Sequence, residues 1–432
     1  SYKDRKELAK DLKQIYQAEV DSIDSLATYG TMFDDLIKRA QAYGLLIRSI
    51  EYDMNPTFDS VYADFSNQYN VCELKFFFVG SYGSDFARGV YVFQLDEDNG
   101  EILKKKYYKS PAGPTFMTRE DRWIYTCYKN NSGRASDGGI WQYAAMDIQF
   151  GLTARVDNDG KTYEHCCVSP ENNCVYAVDY YNGEVASVPI KKLKVVTVAQ
   201  TIKHKGHSID EKRQNQPHPI YVCTSPDKKK VIVCDLGTDE VVYYNILEKG
   251  RLQRDEEHSF HVTPGHGPKK LLFTKNNKYA YLLNELSNTI EVYSHEDNNL
   301  TLIQTLDTFP KDGFTGTSFA GDMVMMESEE YLFASNRGHD SISVFKIDLE
   351  TGLLTYIEFV DTDANPRVIQ LFKDQWMVVA AQKGGTLESW QIKTNDRHGV
   401  LFETNYTYNV AEPVTIVLGN QNYLKVDDKK EK

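Results

Sequence analysis

The chain has 432 residues, 41% of them hydrophobic and 26% charged, enough to bury one large core or two ordinary ones. A formal net charge of −13 and a pI near 5.3 argue against nucleic-acid or membrane-surface partners, and no apolar run reaches the length of a membrane span. Seven cysteines, without zinc-type or C-x-x-C spacing, fall mostly inside apolar runs, which predicts reduced, buried thiols and a cytoplasmic protein.

Residues 1–70 carry helical periodicity. Leu8, Leu12 and Ile15 share one helical stripe, and Phe33, Leu36, Ile37 and Ala40 share another. This predicts a short α-helical N-terminal extension, a candidate arm for homo-oligomerisation because amphipathic helices need an apolar partner surface. From about residue 72 the period changes to two, in FFFVGSY, GVYVFQL, WIYTCY, CVYAVDY, VIVCDL, YAYLLNEL, YLFASNR and WMVVAAQ, with turn residues between them. The predicted organisation is an extension over 1–70, a β domain over 71–421 and a charged tail over 422–432.

The β domain is a repeat. The residue that follows each central strand is Ser81, Tyr128, Tyr180, Leu236, Glu285, Arg337 or Gln382, giving seven copies spaced 45 to 56 residues apart. That spacing fits one four-stranded blade per copy, so the fold class is all-β, a seven-bladed β-propeller. Each copy opens with a short apolar segment, and the last of these, EPVTIVL at 412–418, has no copy after it. It is expected to complete the blade that begins with FFFVGSY, closing the ring and removing exposed sheet edges.

Comparison of one blade with the next separates structural from functional positions. Asp179, Asp235, Asn284 and Asn336 recur at one place, and Gly183, Asp239, Asn288 and Asp340 recur four places later. Both series suit Asx turn chemistry. The place between them varies, so Glu285 and Arg337 are charges that the blade itself does not require. A salt bridge between adjacent blades is one explanation for them; a ligand site is the other.

Antiparallel pairing puts the start of each innermost strand on the same rim as this variable place. His165, His218, Lys269, Lys270 and Arg367 are therefore expected beside Glu285 and Arg337 at the mouth of the central channel. The long segment 203–218 is a candidate covering loop. The set contains no G-x-S-x-G elbow and no H-E-x-x-H, which predicts neither a serine nucleophile, a metal nor any cofactor. Several cations around one carboxylate suit a small anionic molecule. In that setting Glu285 or His218 would activate water, and Arg337 or Lys269 would stabilise an oxyanion.

GHGPKKLLF, YAYLLNELSNTIEVY, LFASNRGHDSISVF and KRQNQPH together resemble the propeller family of 6-phosphogluconolactonases, which also contains fungal carboxymuconate-cyclising enzymes. The resemblance runs over about 72–418. It implies a seven-bladed propeller without a required metal that hydrolyses a sugar lactone, typically 6-phosphogluconolactone in the pentose phosphate pathway. It also implies catalytic roles for His218, Glu285 and Arg337, leaving Lys269, Lys270, Arg367 and His165 to bind substrate. Two departures stand out: the family's G-P-R-H is here Gly267, Pro268, Lys269, Lys270, and its H-x-H after RQ is here His218, Pro219, Ile220. A lysine keeps the charge of an arginine but not its bidentate grip. The alternative expectation is a non-catalytic propeller that binds an anionic metabolite or a protein through the same cations.

Overall fold

In the computed structural model the described residues are 75–83, 88–109, 113–128, 138–146, 149–157 and 161–419. The helices expected over 1–70, any association through them, and the tail at 422–432 lie outside these residues. The described strands form seven antiparallel sheets, each a blade. Six have four strands. Blade 3 departs from this pattern, because its third strand, Glu184–Lys191, pairs with both Gln200–Lys203 and the short Lys194–Val195. Blade 1 closes the ring as expected: Pro413–Leu418 is its innermost strand and pairs antiparallel with Lys75–Ser81.

The apolar runs follow from the position of each strand. A blade is covered on both faces by its neighbours, so a second strand such as Cys174–Asp179 or Trp376–Ala381 is buried at every residue. Between blades 5 and 6, Tyr281, Leu283, Ile290 and Val292 pack with Leu332, Ala334 and Phe345. Outermost strands have one solvated face and alternate instead, as in Leu354–Asp361. The six cysteines among the described residues are free thiols.

The turn series behaves as its chemistry requires. Gly183, Asp239, Asn288 and Asp340 have φ of 66°, 55°, 55° and 56°, the left-handed region that Gly, Asn and Asp tolerate best. Asp179 Oδ1 accepts from the amides of Tyr181 and Asn182 at 3.0 and 2.9 Å.

One further regularity positions the site. In six blades the ladder between the innermost strand and its neighbour slips just inside the entry, and in five of these the slip begins at a proline: Pro114, Pro219, Pro268, Pro366 or Pro413. Proline suits the first residue of an edge strand, where no amide is needed for the ladder. The slip leaves a bulged residue unpaired and re-aims its side chain. The bulged residues Thr115, Ile220, Lys269, Asp322, Arg367 and Val414 all line the central cavity.

Candidate functional site

The cavity at the propeller axis has a volume of about 590 Å³. Its charges are uneven: five cations (Arg213, Lys269, Lys270, Arg337, Arg367) face three carboxylates (Glu164, Glu285, Asp322). The cationic side belongs mainly to blades 5, 6 and 7. Tyr82, Phe116, His165, Tyr180, Tyr181 and Tyr221 line the rest with aromatic rings.

Glu285 is the centre of the cationic side. Its backbone is fixed by its own amide to Gly267 O at 2.7 Å and by the Ala320 amide to its carbonyl at 3.1 Å, a bridge from blade 5 to blade 6. The carboxylate, 2% exposed as a residue, takes three cations. Arg213 Nη2 lies 2.6 Å from Oε1, while Lys269 Nζ and Arg337 Nη2 lie 2.5 and 2.9 Å from Oε2. The inter-blade salt bridge is thus present, but two guanidiniums and a lysine share one carboxylate and leave at least one positive charge uncompensated. Burial alone would raise the Glu285 carboxyl; Arg337, Lys269 and Arg213 outweigh it and hold the group well below the usual carboxylate range.

Lys269 carries the cost of this crowding. Burial first, then the Arg337 cation, pushes its ammonium down to about 7 despite the attraction of Glu285. Arg337 stands at the end of the strand Tyr331–Arg337, where Nη2 also donates to Ala320 O at 3.2 Å. Its buried Nε has no hydrogen-bond partner among the described residues, the kind of unmet donor that a ligand or ordered water commonly completes. Arg367 Nη1 donates to Gln382 Oε1 at 3.1 Å and its guanidinium lies over the Tyr82 ring.

The remaining expected residues divide. Lys270 is neutralised by Asp322, Nζ to Oδ1 at 2.7 Å. His165 lines the cavity between the rings of Phe116 and Tyr221. The Val222 amide donates to its Nδ1 at 3.3 Å, and burial, with the Lys270 cation adding to it, pushes its pKa down to about 3. His165 is therefore a neutral ring with its proton on Nε2. His218 is not among the cavity-lining residues. It precedes the strand-opening Pro219, so the bulge presents Ile220 to the cavity instead, while the His218 ring stacks behind Tyr180 and shares a hydrogen bond between Nδ1 and Tyr180 O at 2.8 Å.

Arg213 is a site residue that blade comparison does not reveal. It sits on the connector between blades 3 and 4, its guanidinium lies over the Phe319 ring, and it hydrogen-bonds Glu285. The run KHKGHSIDEKRQNQPH marks the connector as a covering loop; the signal for Arg213 itself is its place in the RQ pair.

Comparison with known proteins agrees with this architecture. Residues 76–418 match the family described as lactonase, seven-bladed β-propeller. The 6-phosphogluconolactonase of Bacillus subtilis is 29% identical over 71% of this chain and 87% of its own length. An uncharacterised protein of Lactococcus lactis subsp. cremoris is 30% identical over 72% of this chain and 89% of its own length. Among solved structures, the periplasmic gluconolactonase of Pseudomonas aeruginosa superposes with a TM-score of 0.74 at 24% identity, covering 80% of this chain and 99% of that one. That fold likeness extends to a periplasmic protein, so the propeller by itself does not specify the cytoplasm. No helix among the described residues is long and apolar enough to cross a membrane.

Proposed function

Because the chain belongs to the family of seven-bladed β-propeller lactonases, we propose that it opens the ring of a small anionic sugar lactone, with 6-phosphogluconolactone as the foremost substrate. The observation that carries this reading is the cluster of Arg213, Lys269 and Arg337 on the single carboxylate of Glu285, with Arg367 on the same rim. Its uncompensated positive charge suits a phosphate or carboxylate group together with the oxyanion that forms when water adds to the lactone carbonyl.

In this reading a water molecule adds to the carbonyl carbon and gives up its proton, and the ring C–O bond then breaks to yield a carboxylate and a free hydroxyl. Glu285, ionised at any physiological pH, orients that water, accepts its proton and passes it to the departing ring oxygen, while the new acid loses its remaining proton to solvent. Lys269 and Arg337 stabilise the oxyanion, and Arg367 holds the anionic substituent. Lys270 and His165 line the pocket, the first already neutralised by Asp322 and the second uncharged. His218 contributes indirectly, as the support behind Tyr180.

The test is the loss of 6-phosphogluconolactone above its spontaneous hydrolysis. Removal of one oxyanion partner, Arg337→Ala, is expected to lower kcat by about 10²–10³-fold. Glu285→Gln is expected to be similarly impaired, and normal rates in both variants would overturn the site assignment. A second reading, a non-catalytic anion-binding propeller, is favoured by one feature: a carboxylate held low by three cations is a weak base. Tight binding of 6-phosphogluconate with no turnover of the lactone would decide for it.

A further inference from the structure

The connector 204–218 leaves blade 3 after Gln200–Lys203 and enters blade 4 at Pro219–Thr224. It has no regular structure, yet it delivers Arg213 to within 2.6 Å of Glu285, on the next blade. Something must fix its two ends. One buried carboxylate fastens both of them: Asp235 Oδ2 lies 2.6 Å from His204 Nδ1, at the start of the connector, and Asp235 Oδ1 accepts from the His218 amide at 2.7 Å, at its end.

The clamp is enclosed and braced. Asp235 is fully buried, and the other ring nitrogen of His204 lies 2.6 Å from the hydroxyl of Tyr244, itself fully buried. Between the ends, Asp210 Oδ1 accepts from the amides of Lys212 and Arg213 at 2.9 and 3.0 Å, and buried Gln214 donates to Leu236 O at 2.8 Å. Gly237 is the floor: a Cβ there would stand 2.0 Å from Gln216 O and 2.6 Å from the His218 amide nitrogen. The corresponding residue of blade 3 has no such reach, because Asp179 bonds only within its own turn, to Tyr181 and Asn182.

We infer that Asp235 is a positioning residue for the cationic site, acting through the connector to hold Arg213 on Glu285. This rests on the reading of the axial cavity as the anion site. With Arg213 withdrawn, the Glu285 carboxylate has one partner fewer and competes harder for Lys269 and Arg337, so anions bind more weakly. Asp235→Asn keeps an acceptor for the backbone amides but removes the charge that His204 meets.

A double-mutant cycle tests this with sulfate as the probe, read by calorimetry, and with amide exchange over residues 206–214. Arg213→Ala and Asp235→Asn are each expected to weaken sulfate by about tenfold, and the double variant by no more than either alone. Exchange over 206–214 should quicken in Asp235→Asn, while the strand Tyr279–Asn284 stays as protected as in the parent. His204→Asn, which keeps an N–H toward Asp235, should retain parental affinity; His204→Leu should not. Should Asp235→Asn fail to fold, Gly237→Ala displaces the same connector from its floor and takes its place in the cycle. Additive losses, or unchanged exchange, would overturn the inference. Neither readout needs turnover, so an intact cycle in a protein that opens no lactone would refute the lactonase reading alone.

Discussion

A dianion that enters the cavity should bring a proton with it. Lys269 sits at about 7 in the free protein because burial and Arg337 oppose its charge. At pH 7.5 such a group is about one-quarter protonated. A negative charge about 4 Å away, at an effective dielectric of about 20, favours the ammonium by about 4 kcal/mol, or about three pKa units. Lys269 is then almost fully protonated in the complex, so binding takes up about three-quarters of a proton per anion at pH 7.5. The affinity follows by linkage, falling about eightfold between pH 7.5 and 8.5. Sulfate is the suitable probe because it remains a dianion throughout this range. Calorimetry in two buffers of different ionisation enthalpy reads the uptake directly. Lys269→Arg should bind sulfate without proton uptake and without the pH dependence, since a guanidinium does not titrate there. Equal enthalpies in the two buffers, or uptake that survives Lys269→Arg, would refute the placement of the titrating charge.

Glu285→Gln leaves three cations without their shared carboxylate and should lower stability by about 3 kcal/mol in urea denaturation, near the lower limit for breaking a buried pair. That limit applies because the Arg213 and Arg337 side chains retain 29% and 16% exposure. The same variant fixes the sign of an acid effect. The Glu285 carboxyl is depressed in the folded state, so its stabilisation is present above the unfolded value of about 4.3 and is lost as pH falls through the lower folded value. The stability curve of Glu285→Gln should therefore lie below that of the parent at neutral pH and converge with it in acid. Truncation before Pro413 removes the strand that pairs with Lys75–Ser81 and exposes a sheet edge, so the shortened chain should aggregate or melt well below the parent in a thermal scan. Gly352→Ala should cost more than about 1 kcal/mol, because Gly352 has φ of 72° and a Cβ there would lie 2.3 Å from the Tyr279 ring.

The propeller was legible because its blades repeat. Strands covered on both faces read as unbroken apolar runs, the turns demand Gly, Asn or Asp at one φ, and the unpaired 412–418 segment had one vacancy to fill. The two charges most plainly foreign to the repeat, Glu285 and Arg337, do meet at 2.9 Å. Position at the start of the innermost strands placed His165, Lys269, Lys270 and Arg367 on the cavity wall but misplaced His218. A strand of strict period two would not send both Lys269 and Lys270 to one cavity, and the place expected for His218 is held by Ile220. The bulge after the entry proline accounts for both, since it inserts a residue that the ladder does not count.

Arg213 and Asp235 show the limit of comparing a repeat with itself. Arg213 lies on a connector with no counterpart in the other blades, so no blade-to-blade contrast could single it out, although it reaches Glu285 as closely as Arg337 does. Asp235 has counterparts at Asp179, Asn284 and Asn336, and the turn role they share is real: its Oδ1 accepts the Gly237 amide at 3.0 Å. A carboxylate, however, has two oxygens, and the turn needs only one. In blade 4 the second oxygen faces His204 at 2.6 Å, on a segment that the repeat does not contain. A position that recurs for one structural reason thus carries a second role in a single blade, where a non-repeating segment happens to reach its spare acceptor. The charges that the repeat exposes and the connector that it hides converge on one group, the Glu285 carboxylate. Its three cations come from its own blade, from the next blade and from the connector, so the site depends on the closed ring and on the clamp together.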